Sequence, residues 1–428
     1  MNHFAIAGIV LTAVTGLYVA SANDLNVVGE RALATQQDIA DLRMDTDVLP
    51  ALPPAGLDAA VFGKAKPLRF VWVSADASTE AGDGSRDHPF ARIGDAVMIA
   101  RPGTAIMVKA GTYHENVRFP KKVNGAPDAP IWLVSADGPQ AARIVAPREG
   151  KWAAIGGGGT ENVLVQGFHV TGGHNGIQFS QNGYDYHDTV DNIAVYGNVI
   201  DNPMEDGVKI NGGSNVIVAD NVITNCYDEG IDLLGITNGR ISRNSVSKVE
   251  SQTGAISVKG GSDQILIDGN MISDIMSDGV LVGGWTSPRM ASRPGYEGFE
   301  ARNVRVTGNV VERVGKRAVN IMAAQRAEIS GNYLDVSQGY GAVIELGRNY
   351  PRAATALYSS DIAISDNQFS QNRGKLRSMQ GTGAIRFLNN RGGGRPAISA
   401  GPRPQALPFP SWAPANTSDF LTFRAPSD

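Results

Sequence analysis

A single cysteine, Cys226, in 428 residues excludes an intramolecular disulfide framework. It sits inside a repeat, where a small buried apolar side chain is the expected role. Charge is also scarce. Asp, Glu, Lys and Arg make up 19% of the chain and the net charge is -4, so nothing draws the whole molecule to nucleic acid or to an anionic membrane. No nucleic-acid partner is expected, and an acidic partner would have to be held by local cations. Beyond residue 22 no apolar run is long enough to cross a bilayer. The glycine run Gly156–Gly159 lacks the lysine and helix that a phosphate loop needs.

What is present begins with "MNHFAIAGIVLTAVTGLYVASA", an apolar run from Phe4 to Ala20 that ends in the small-x-small pattern Ala20-Ser21-Ala22. Residues 1–22 read as an export signal giving a periplasmic or secreted protein. Because no Lys or Arg precedes the run, an uncleaved membrane anchor is the alternative. Residues 23–66 read as a polar, partly helical tether interrupted by "LPALPP", and residues 393–428 as a Pro/Gly-rich tail. The information lies in residues 67–392.

Between them the chain repeats itself, as in "NVIVADNVITNCYDEGIDLLGIT" and "NVRVTGNVVERVGKRAVNIMAAQ". Marker asparagines fall at Asn198, Asn221, Asn244, Asn270, Asn309, Asn332 and Asn367, separated by 23, 23, 26, 39, 23 and 35 residues. Each unit holds three short alternating apolar runs punctuated by Gly, Asn and Asp, the pattern of three strands per turn of a parallel β-helix. The fold class is therefore all-β: a right-handed, pectate-lyase-like solenoid of eight or more coils, expected as a monomer. Stacked coils would line the asparagines into a ladder. The longer intervals come from insertions after one and the same strand: "QNGYDYHDTVD", "WTSPRMASRPGYEGFEAR" and "RNYPRAATALYSS". At the N-terminal end an amphipathic helix over about residues 90–100, with Ile93, Ala96, Val97 and Ala100 on one face, is expected to cap the open sheet edge.

Aligning the repeats sets Gly207-Val208-Lys209 over Gly230-Ile231-Asp232 and that over Ala255-Ile256-Ser257, with Lys259 close behind. Asp206 and Glu229 then share a turn on consecutive coils, with Asp228 beside Glu229. Four carboxylates are expected to converge there, a donor set for a hard cation such as Ca2+. Lys209 reads as a charge partner of Asp232. Strand rise and coil spacing put Lys259 on the order of 8 Å from Asp232, a gap that fits one sugar carboxylate. A cation beside a uronate acidifies the C5 proton, a base removes it, and the O4 linkage leaves, and a lysine of lowered pKa can be that base. Ordinary Asp-Gly and Glu-Gly turns are the alternative reading of the acids, and Asp278-Gly279, followed by Leu281, is the internal control.

The segments "MEDGVKI", "YDEGIDLL" and "ISVKGG", with the opening "DGSRDHPFARI" and "PGTAIMVKAGTYHE", resemble the motifs of family 9 polysaccharide lyases. That resemblance implies Asp206, Asp228, Glu229 and Asp232 as Ca2+ ligands, Lys259 as the base, and an anionic uronate polysaccharide as substrate, foreign pectin or an exopolysaccharide of the producer. Two departures stand out: Glu229 replaces an Asp, and Gly260-Gly261 follows Lys259 directly, one residue early.

A second likeness is that "NGYDYHDTVD" is similar to a motif of mannuronan C5-epimerases, with Tyr186 in place of its proline. It implies Tyr184, Asp185 and His187 as acid and base candidates. The Arg-His-Gly element expected two coils later is absent, since "YDEGID" occupies its place. Trp285, Arg289, Arg293 and Tyr296 in the longest insertion are candidates for sugar contact, as are Lys209, His187 and Tyr184. The sequence thus reads as a Ca2+-assisted lyase, with a C5-epimerase or a non-catalytic polysaccharide-binding β-helix as alternatives.

Overall fold

The computed structural model describes residues 65–78, 82–183, 186–284, 286, 298–335, 344–347, 357–370, 376–378 and 383–392. Every pairing between its strands is parallel, and each coil visits three faces in the same order. Sheet I contains strands such as Ile177–Ser180, Gly254–Lys259 and Asp278–Gly283. Sheet II follows with strands such as Val190–Tyr196 and Ser262–Asp268. Sheet III is an 11-stranded stack that includes Val222–Cys226 and Ser245–Val249. Two long strands, Val208–Ala219 and Ile231–Ser242, run from sheet I into sheet II without a break. The molecule is a right-handed parallel β-helix, as the repeat predicts.

Alternation decides what is inside. Val208, Ile231 and Ile256 stack in register and are fully buried, as are Ile210, Leu233 and Val258 two residues on. The residues between them, Lys209, Asp232 and Ser257, point away from this column onto the outer side of sheet I. Cys226 is buried in the same core, and burial pushes its thiol pKa well up.

At the corner between sheets II and III the marker asparagines form an unbroken ladder. Asn221 donates its backbone N–H and its side-chain amide to Asn244 Oδ1 at 3.0 Å each, and Asn244 does the same to Asn270 Oδ1 at 2.9 and 3.0 Å. Each Nδ2 also donates to a main-chain carbonyl, as Asn244 does to Val218 O at 2.9 Å. The ladder continues through Asn309, Asn332 and Asn367 to Asn390. The residue just before each asparagine explains the recurrent Gly-Asn and Asp-Asn pairs. Gly197, Asp220, Gly269, Gly308 and Gly331 all have left-handed backbones, with φ between 56° and 64°. Arg243 takes the same conformation, and its guanidinium is held by the Asp220 carboxylate one coil away.

The N-terminal helix spans Ile93–Ile99, shorter than the expected 90–100, and buries Ile93, Ala96 and Val97 against the first coil. It starts late because Phe90 is still pairing as a strand: its N–H donates to Trp72 O at 3.0 Å and its carbonyl accepts from Ser74 N at 2.9 Å. The buried Glu115 carboxylate accepts from the N–H groups of Ile93 and Gly94 at 2.8 and 3.0 Å, doing the work of a missing N-cap side chain.

Replacing Asn244 by Ala strips four side-chain hydrogen bonds from the ladder and leaves the Asn221 N–H buried without a partner. Urea unfolding is expected to show a loss of roughly 3 kcal/mol or more. Met271→Ala, at an exposed position on the next coil, is expected to stay within about 0.5 kcal/mol of the parent.

Candidate functional site

The turn from sheet III into sheet I carries the acids. Asp206 precedes the strand starting at Val208, Asp228 and Glu229 precede the strand starting at Ile231, and Asp232 is the second residue of that strand. Stacking places Asp206 and Glu229 one above the other, and the Glu229 N–H donates to Asp206 Oδ1 at 2.9 Å. Asp206 N–H in turn donates to Asn175 Oδ1 one coil earlier, also at 2.9 Å. All three of Asp206, Glu229 and Asp232 are buried, and they offer carboxylate oxygens within 4.8 Å of one another.

Two ammonium groups bridge the acids. Lys209 Nζ lies 2.6 Å from Asp206 Oδ2 and 3.1 Å from Asp232 Oδ2. Lys259 Nζ lies 2.5 Å from Glu229 Oε1 and 3.1 Å from Asp232 Oδ1. The gap of about 8 Å expected between Lys259 and Asp232 is therefore not there. That figure measures backbone positions from strand rise and coil spacing, and the lysine side chain spans the whole of it.

The fourth acid also parts from expectation. Asp228 is not one of the clustered three, and its Oδ1 accepts a hydrogen bond from Ser251 Oγ at 3.0 Å. Asp228 thus sits at the edge of the cluster, tied to Ser251 on the next coil while its carboxyl still meets that of Glu229. Ser251 and Thr253, which repeat alignment did not single out, support the pair from that coil: Thr253 Oγ1 donates to Glu229 Oε1 at 2.7 Å. The signal was "SQTG", which stands where the earlier coils carry acids.

Charge does not balance within the cluster, because three carboxylates face two ammonium groups. Burial drives the Asp206 pKa well above the carboxylate range against the pull of Lys209, with Glu229 and Asp232 adding to the rise. Asp228 is pushed up to about 7 by burial and by Glu229. Burial opposes the charge of Glu229 too, yet Lys259 and Lys209 hold its carboxyl below the usual range. Burial likewise works against Lys259, but Asp232 and Glu229 keep its ammonium charged well above the ordinary lysine value.

The donor set fits a hard cation: it is all carboxylate oxygen, and Asp232 Oδ1, ion-paired with Lys259 at 3.1 Å, receives no aligned hydrogen bond among the described residues. Ser257 Oγ, one coil on and in register with Asp232, is likewise buried without a hydrogen-bond partner. The control position behaves differently. Asp278 is closed by Arg317 at 2.9 and 3.0 Å and by Asn320 at 2.8 Å, so the same turn two coils after Glu229 holds a neutralised acid.

His187 is exposed, and Tyr186 OH donates to Gly235 O at 2.9 Å, tying the first insertion across later coils. Tyr184, Asp185, Trp285, Arg289, Arg293 and Tyr296 lie outside the described residues. Glu300, not foreseen, is buried and accepts from Gly260 N–H at 3.0 Å and from Thr286 Oγ1 at 2.8 Å, which pins the backbone just after Lys259. A groove of about 740 Å³ lined by Arg148, Tyr227, Lys248 and Arg313 runs along the corner from sheet III and does not contain the three acids.

The family model described as "right handed beta helix region" matches residues 151–292 and 254–392. No curated protein matches the sequence. Among solved structures, a pectate lyase is 14% identical with a TM-score of 0.47, covering 77% of this chain and 80% of its own. An alginate lyase from a Paenibacillus species is 14% identical with a TM-score of 0.44, covering 75% and 99%. The A-module of a mannuronan C-5 epimerase from Azotobacter vinelandii is 15% identical with a TM-score of 0.44, covering 71% and 93%.

Because Asp206 and Asp228 have higher pKa values folded than the 3.8 of an ordinary aspartate, folding in chelator takes up protons between that value and about 7. Stability should fall as pH rises through this window, by up to about 1.4 kcal/mol per pH unit for each proton. Urea midpoints across the window are expected to show that slope in the parent and a shallower one in Asp228→Asn.

Proposed function

The chain belongs to the right-handed β-helix family, and from that premise we propose that it is a polysaccharide lyase that cleaves an anionic, uronate-containing polysaccharide by β-elimination. The observation that carries this reading is the buried triple Asp206, Glu229 and Asp232 with Lys259 Nζ against two of its members. These three acids would hold a Ca2+ ion, with Asp228 beside them as a further ligand. A cation bound there supplies positive charge that neutralises the uronate carboxylate and acidifies the adjacent C5 proton.

Lys259 is the group placed to take that proton, and Lys209 holds Asp206 and Asp232 in position from the other side. To act, Lys259 must first lose its own proton. The carboxylates that keep it charged are the oxygens suited to the cation, so sharing them withdraws what raises its pKa. The electron pair released at C5 forms the C4–C5 double bond as the O4 linkage leaves. Export to the periplasm or beyond, read from residues 1–22, belongs to the same proposal, since such polymers lie outside the cytoplasm.

C5-epimerisation starts from the same proton abstraction, but it needs a second group to return a proton on the opposite face. Of its candidates, Tyr184 and Asp185 lie outside the described residues and His187 is exposed. A non-catalytic binder would need neither base nor cation. Ultraviolet absorbance of the unsaturated product, followed on polygalacturonate, alginate and bacterial exopolysaccharides, separates the three. A rise that chelator abolishes is expected. Epimerisation would change only the uronate ratio, and a binder would do neither.

Lys259→Ala is expected to lower the elimination rate by roughly 10²–10⁴-fold, and full activity in that variant would remove Lys259 as the base. Calcium should raise the melting temperature of the parent and leave Asp232→Asn nearly unmoved. An equal rise in both would take Asp232 out of the ligand set.

A further inference from the structure

The outward column of sheet I that contains Lys209, Asp232 and Ser257 can be followed back toward the N-terminus. Lys209 pairs in register with Gln178, Gln178 with Gly156, and Gly156 with Arg118. Arg118 thus stands on the same face as the acid cluster, five coil steps before Ser257. At one strand spacing per coil, that is about 24 Å along the axis.

Arg118 differs from arginines further along the helix. Arg240, Arg243, Arg302, Arg313 and Arg317 each meet a carboxylate from a neighbouring coil. Arg118 is exposed and has no ion pair among the described residues. Its guanidinium carbon instead lies 3.5 Å from the centroid of the Trp152 ring, and that ring is itself 55% exposed. An exposed indole supporting an unneutralised guanidinium leaves the edge N–H groups free for an incoming anion.

The outward column between Arg118 and Lys209 is low and uncharged, while on the adjacent turn His174 and Glu205, 3.1 Å apart, stand between Trp152 and the acids. Gly156 has no room for a side chain, since a Cβ there would come within 2.2 Å of Gln178 O. Gln178 lies down between Asn175 and Ser180, at 2.9 and 3.1 Å. A floor of this kind, with cations at one end and the acid–lysine cluster at the other, can carry an extended chain along the helix axis.

Resting on the lyase reading, we propose that Arg118 and Trp152 form an outlying subsite that binds a uronate residue several sugars from the reacting linkage. Arg118 takes the carboxylate, and the exposed part of Trp152 takes the sugar face. The polymer then lies parallel to the axis across Gly156 and Gln178, and long chains are held more tightly than short ones.

Affinity electrophoresis at low salt, in gels containing polygalacturonate or alginate, tests this without requiring turnover. The parent should be retarded by at least one of the two polymers. Arg118→Ala and Trp152→Ala should each be retarded on the order of tenfold more weakly, and added salt should erase the difference. Arg118→Lys should recover part of the loss, because it keeps the charge without the planar fork. On whichever polymer is cleaved, Arg118→Ala should raise KM and leave kcat unchanged. Retardation of Arg118→Ala equal to that of the parent would overturn the subsite. So would a parent that neither polyuronate retards. In both cases product absorbance and the Lys259→Ala rate still judge the lyase reading separately.

Discussion

Coil-to-coil register is the constraint on which the molecule depends. A parallel β-helix has no other way to bury its main chain, because every strand relies on the coils above and below for its hydrogen bonds. The asparagine ladder locks that register at one corner. Each amide is committed both to its own main chain and to the next asparagine, so slipping one coil by a single residue would break several buried hydrogen bonds together and turn the apolar columns outward. The left-handed residue before each asparagine makes the corner tight enough for this to happen.

The same register makes the acid cluster possible and costly. Stacking at one strand spacing brings Asp206 and Glu229 together although they are 23 residues apart, and it leaves little room for water between them. Buried carboxylates must be neutralised by protons, by ammonium or guanidinium groups, or by a metal. Asp278 shows the closed solution, in which Arg317 and Asn320 take up its oxygens. Asp206, Glu229 and Asp232 show the open one, with two lysines shared among three acids and Asp232 Oδ1 held only by its ion pair with Lys259. That difference between two turns of equal sequence pattern sets the cluster apart from ordinary scaffold.

How much of this was legible in the sequence follows from how local each signal is. The ladder could be read directly, because one residue type recurs at a fixed spacing and its role is the same in every coil. The capping face of the helix was equally plain from Ile93, Ala96 and Val97, although its start was not, since Phe90 obeys a strand partner far away in sequence. The acid cluster was legible as a neighbourhood and not as a geometry. Repeat alignment gives backbone positions, whereas the reach of Lys259 and the bond from Ser251 to Asp228 depend on side-chain direction. Thr253, Ser251 and Glu300 carried no pattern of their own, and they matter only because stacking sets them against an acid or a strand end. Arg118 was hidden for a different reason. It precedes the first marker asparagine, so its column cannot be counted until the pairing Arg118–Gly156–Gln178–Lys209 is seen.

The ladder also explains where the chain can vary in length. At the corner between sheets II and III, one left-handed residue and one asparagine complete the turn, and an extra residue would tear the amide column. No such column guards the exit from sheet I. The insertions that stretch the 23-residue spacing to 39 and 35 both follow sheet I strands, as does the loop through Asn182 and Asp188, which Lys121 ties to a strand end two coils earlier at 2.6 Å. Added chain therefore enters the sequence after sheet I strands. Sheet I is also the sheet bearing Arg118, Lys209, Asp232 and Lys259, so the corner that forbids insertion leaves length free to change in the same coils that carry the site, after the strands that present it.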